Sequence, residues 1–116
     1  MSEPLFHLAF RSDWAVARET GRYEISTRGQ TLAEVGFIHC ALRHQVRGVA
    51  DAFYADADDL VPLVVDQEQL DAPVVHEPPA PGLPDFPHLY GALPVAAVTD
   101  VLPVGRAADG NWQLPV

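Results

Sequence analysis

Apolar residues along this chain fall into short runs broken by polar, glycine and proline positions, with one stretch at helical spacing. Leu5-Phe6-His7-Leu8-Ala9-Phe10 is too brief for a helix and carries aromatics, so it predicts a buried first strand. Ser12 or Asp13 then offers a cap for a helix through Trp14, Ala17 and Arg18, stopped by Gly21. Tyr23 to Gln30 is polar, Thr31 to Val35 reads as one turn before Gly36, and Phe37 to Cys40 as another short strand. Leu42, Val46, Val49, Ala50 and Phe53 recur at helical spacing with Arg43, Arg47 and Asp51 opposite, the clearest amphipathic helix in the chain.

Beyond it, Leu60 to Asp66 is β-branched, and Pro62 argues for an edge strand or one that starts after it. Val74-Val75-His76 is a further strand. Five prolines between Pro78 and Pro87 predict an extended loop without a backbone ladder, and Val95 to Val104 supplies the last β material. Helices early and strands late give a single α+β domain over residues 1–116 with one or two main helices.

Charge and composition narrow the partners. A net charge of −9, with seven scattered arginines as the basic residues and no lysine, excludes duplex nucleic acid as a partner and removes Schiff-base chemistry. A small anionic or nucleotide-like molecule remains open, because two or three guanidinium groups in a pocket suffice for it. No apolar run reaches the roughly 20 residues of a membrane span and the start has no basic leader, so a cytoplasmic protein without membrane contact is expected. The lone Cys40 reads as a buried free thiol, and the histidines at 7, 39, 44, 76 and 88 include no metal-binding pair at helical spacing.

Candidate chemistry gathers on two histidine-bearing segments. His39 ends a strand just before a helix, where backbone N–H groups with Arg43 and His44 could hold a phosphate or carboxylate that His39 also contacts. The competing reading makes His39 a core histidine satisfied by a carbonyl. His7, mid-strand, is structural on its own and functional only if its strand adjoins that of His39. Glu77 leaves a strand before the proline loop, a place for a general base or a stabiliser of positive charge, or for a solvated rim carboxylate. Phe86-Pro87-His88-Leu89-Tyr90-Gly91 reads either as a loop covering a ligand, with Tyr90 stacking and His88 bonding a polar tip, or as an aromatic plug.

The order Leu5-Phe6-His7, Trp14, Gly21-Arg22-Tyr23, Gly36-Phe37-Ile38-His39-Cys40, Gln45, Val64-Val65-Asp66, Glu77 and Phe86-Pro87-His88-Leu89-Tyr90-Gly91 resembles domain-of-unknown-function family 952 of bacterial and plant proteins, over nearly the whole chain. That family is similar in fold to the ADP-ribosyltransferase group, and the resemblance implies a split mixed sheet with a cleft for NAD. It also implies that His7 holds the nicotinamide ribose, His39 supports the nicotinamide side, and Glu77 stabilises an oxocarbenium-like transition state. Ala41 and His76 depart from the family's usual serine and aromatic. The expectation is a domain that binds NAD as substrate and acts at its glycosidic bond; the alternative is a non-enzymatic metabolite- or protein-binding module with the same cleft.

Overall fold

A computed structural model describes residues 3–115. The first apolar run forms β1 (Leu5–Phe10), and α1 (Arg11–Thr20) follows without a break. Phe10, not Ser12 or Asp13, is the N-cap of α1, and no side chain caps it; Gly21 ends the helix with φ 89° and its N–H on the Ala17 carbonyl at 2.7 Å. The polar stretch is more regular than its composition suggests, holding β2 (Arg22–Tyr23) and the hairpin β3 (Ile25–Thr27) and β4 (Gln30–Thr31). A single turn, α2 (Leu32–Val35), starts from a capping box in which Glu34 accepts from the Thr31 N–H at 2.9 Å.

Next come β5 (Ile38–His39) and α3 (Arg43–Phe53). The start of α3 is fixed by Gln45, whose side-chain oxygen accepts from the Leu42 N–H at 2.9 Å. Val46 and Ala50 face the core as the spacing predicts, but Phe53 is 68% exposed. The remaining strands are β6 (Leu60–Val65), β7 (Val74–Glu77), β8 (Phe86–Leu89), β9 (Leu93–Pro94), β10 (Val98–Val101), β11 (Gly105–Arg106) and β12 (Trp112–Gln113).

The strands form split sheets, and every pairing among the described residues is antiparallel where a mixed sheet was expected. The main sheet has the order β1-β6-β10, with Leu5 opposite Val65 through Phe10 opposite Leu60. Both faces of β1 and β6 are covered, which explains their unbroken apolar runs. Leu5, Ala9, Leu63 and Val65 pack with Ala17, Tyr23, Ile38 and Leu89 on one side. Phe6, Leu8 and Leu60 pack with Val46, Ala50, Tyr54 and Trp112 on the other. At roughly 1.5–3 kcal/mol per fully buried large aliphatic or Phe side chain, these two layers are the main favourable contribution to folding.

Two prolines depart from their expected places. Pro62 sits within the central strand β6, and Pro87 within β8, the middle of a second sheet ordered β5-β8-β7. The reason is the same in each. A strand residue turns its N and its C=O to the same side. The Pro62 carbonyl accepts from Leu102 just past the end of β10, and the Pro87 carbonyl accepts from Cys40 just past the end of β5. Each missing N–H therefore falls where the neighbouring strand has finished. Phe86 to Leu89 is accordingly a strand, not a covering loop. Cys40 is buried at the edge of this sheet, and burial pushes its thiol up to about 12. No helix among the described residues is long and apolar enough to cross a membrane.

Candidate functional site

The second sheet has two unlike faces. Side chains alternate along each strand, and the register sets His39 opposite His88 and His88 opposite Val75. Ile38, Leu89 and Val74 thus face the core. Phe37, His39, Phe86, His88, Tyr90, Val75 and Glu77 share the opposite face. Ring contacts bear this out: Phe37 stacks on His88 at 4.0 Å between centroids and lies 4.8 Å from His39 and 5.2 Å from Tyr90. His39 meets His88 edge-on at 5.2 Å. Phe37 is itself anchored by the buried Ser26 hydroxyl, which donates to its carbonyl.

Glu77 binds this face together. One of its carboxylate oxygens accepts from His88 Nδ1 at 2.8 Å and from the Tyr90 hydroxyl. Tyr90, then His88, hold the Glu77 carboxyl below the usual carboxylate range, and the same bond raises the Tyr90 phenol. Because a carboxylate oxygen only accepts, His88 carries its proton on Nδ1, and in the neutral ring Nε2 is then the acceptor. His88 is 1% exposed, and its Nε2 is buried without a hydrogen-bond partner. His39 is half-buried; burial first, and the neighbouring His88 second, lower its proton affinity, which favours the neutral ring.

Behind His39 lies the first-strand histidine. β1 and the segment after β5 are joined by a bridge between Phe6 and Ala41, so the two histidine strands do adjoin. His7 Nδ1 donates to the His39 carbonyl at 2.6 Å, and the Tyr23 hydroxyl donates to His7 Nε2 at 2.9 Å. Both ring nitrogens are thus engaged, and His7 is 2% exposed. Burial pushes its pKa down to about 4, outweighing the opposing pull of the carbonyl, and burial also raises the Tyr23 phenol. His7 holds the backbone of His39 in place from within the core.

His39 and His7 both line a cleft of about 890 Å³. One wall is α3, through His44, Gln45, Val49 and Phe53. Thr27 and Arg28 of the β3–β4 hairpin form another, and Pro79, Leu83 and Pro84 of the proline-rich loop a third. Gln45 ties loop to helix by donating to the Asp85 carbonyl at 2.8 Å. The lining is mostly apolar with a few polar groups, the make-up of a small-molecule pocket. At its rim, Arg28 forks onto Asp56 at 2.6 and 3.2 Å and donates to the Phe53 carbonyl at 3.1 Å.

Of the six residues singled out by sequence, His39, Glu77, His88 and Tyr90 come together on one sheet face, and His7 stands behind His39. Arg43 lies apart, exposed, with its guanidinium 5.1 Å from the Phe6 ring centre. Phe37, Tyr23, Arg28 and Phe53 were missed. A signal for Phe37 was present: alternation places Phe37 with His39 and Phe86 with His88 and Tyr90. Tyr23, Arg28 and Phe53 meet the site only through tertiary packing.

The chain is similar to solved structures of protein CC0527 from Caulobacter crescentus. A crystal structure of that protein is 31% identical, with a TM-score of 0.81 over 95% of this chain and 93% of that one. Its solution NMR structure is 30% identical, with a TM-score of 0.76 over 97% and 90%. No curated protein matches. Residues 8–101 match the family described as "Protein of unknown function (DUF952)", a span that includes every residue of the histidine face and its Glu77 partner. The chain belongs to this DUF952 family.

Proposed function

We propose that this chain binds a nucleotide-like small molecule, NAD or a relative of it, in the cleft beside His39, and acts at the glycosidic bond of the bound ribose. The observation that carries the reading is His39 itself. It is half-buried, its proton affinity is lowered by that burial, and it is fixed through its carbonyl by a fully engaged His7, at the wall of a cleft of about 890 Å³. That volume lies within the range of ligand pockets, roughly 300–1,000 Å³. Thr27, Gln45 and His44 supply polar groups to the lining. The sequence resemblance that implies an ADP-ribosyltransferase-like fold makes NAD the probe to try first. In that reading Glu77, kept ionised by Tyr90 and His88, stabilises positive charge on the ribose.

One observation favours a non-catalytic binder instead: Glu77 is occupied by two donors and does not line the cleft. Calorimetric titration with NAD followed by product analysis separates the two. Binding with nicotinamide release supports the enzyme, binding without release supports the binder, and no binding at millimolar NAD overturns the NAD reading. A folded His39→Ala variant is expected to lose at least tenfold in affinity, about 1.4 kcal/mol.

A further inference from the structure

The buried, partnerless Nε2 of His88 is the feature of this molecule that the packing leaves unexplained. Buried polar atoms are as a rule hydrogen-bonded, and leaving one bare is unfavourable. The same ring is far from neglected by its surroundings. Glu77 accepts from Nδ1 at 2.8 Å, Phe37 stacks on one face at 4.0 Å, and His39 stands edge-on at 5.2 Å. Three neighbours thus fix the position, tautomer and orientation of an imidazole whose second nitrogen has nothing to bond. The two nitrogens of an imidazole point to opposite sides of the ring, so Nε2 turns away from the Glu77 carboxylate.

Resting on the binding proposed above, we infer that His88 is a ligand-recognition residue, its Nε2 accepting a hydrogen bond from a hydroxyl or amide N–H of the bound molecule. Glu77 is then a positioning residue. By holding the proton on Nδ1 it makes Nε2 an acceptor, and it selects ligands that present a donor over those that present a carbonyl or phosphate oxygen at that point. Tyr90 shares the carboxylate oxygen and steadies it. Access requires Phe37 or His39 to yield, since both rings pack on His88, and His39 connects this position to the cleft.

The test is side-chain 1H–15N correlation of this chain, reading His88 in the free protein and during titration with NAD, ribose and nicotinamide. In the free protein, Nδ1 is expected to be protonated and Nε2 bare, and Glu77→Ala should release that tautomer while Glu77→Gln retains it. On titration the Nε2 resonance should move upfield toward a hydrogen-bonded position. An Nε2–H tautomer in the free chain overturns the inference. So does NAD binding that leaves Nε2 unmoved, although the cleft proposal then stands. A chain that ignores NAD but whose Nε2 answers to ribose or nicotinamide sinks the NAD reading and keeps this one, and silence to all three probes sinks both. Where ligand binds, His88→Asn is expected to weaken it about tenfold or more when measured on the folded variant.

Discussion

Acidification should destabilise this domain through His7 in a window set by its burial. In the unfolded chain its ring takes a proton near its ordinary value of 6.5, but in the fold protonation is delayed to about 4. The charged form is disfavoured because the ring is desolvated, Nδ1 already donates to the His39 carbonyl, and Nε2 already accepts from Tyr23. As pH falls below the unfolded value, the unfolded chain binds a proton that the folded chain refuses. The contribution of His7 is therefore complete above 6.5, lost through the window from 6.5 down to about 4, and exhausted below it. At roughly 1.4 kcal/mol per tenfold difference in proton affinity, the loss across the window is about 3 kcal/mol. Urea unfolding from about pH 7.5 to about pH 4, compared with a non-titrating His7→Gln variant, separates the contribution of His7 from that of the carboxylates that titrate in the same range. Parallel pH curves for the two proteins, or a His7 resonance that titrates near 6.5 in the folded chain, would refute the reasoning.

Three other outcomes follow from named contacts. Tyr23→Phe removes the donor to a buried Nε2 and should cost about 1–3 kcal/mol in urea unfolding; a change within error would mean that His7 does not depend on this bond. Gly91→Ala places a methyl 2.6 Å from the Ala72 side chain, so overpacking of about 1–3 kcal/mol is expected in the same assay, and an unaffected midpoint would show that the backbone yields freely there. Tyr90→Phe deletes the larger of the two influences holding the Glu77 carboxyl down, so carbon-detected titration should find that carboxyl raised toward its ordinary range; an unmoved value would assign the depression to His88 instead.

The parts of the fold legible in the sequence were those set by one element's own periodicity. The run Leu5 to Phe10 announced a buried strand, and Val46 and Ala50 announced the inner face of α3. Pro62 and Pro87 misled because a proline reports on its own missing N–H and not on where a neighbouring strand stops. Phe53 fits the spacing of the buried face yet stands open at the cleft, since nothing in α3 alone says that the facing loop stays clear of it. The site divides in the same way. His39, His88, Tyr90 and Glu77 could be named one by one, but their common face depends on the order β5-β8-β7, and the tautomers of His7 and His88 depend on partners 16 and 11 residues away.

The most direct test of the proposed site is backbone 1H–15N shift mapping during NAD titration. Saturable changes at Thr27, Arg28, His39, His44, Gln45 and Phe86, with little change at β11 and β12, are the predicted result. No saturable change at millimolar NAD, or changes confined to residues outside the cleft, would contradict it.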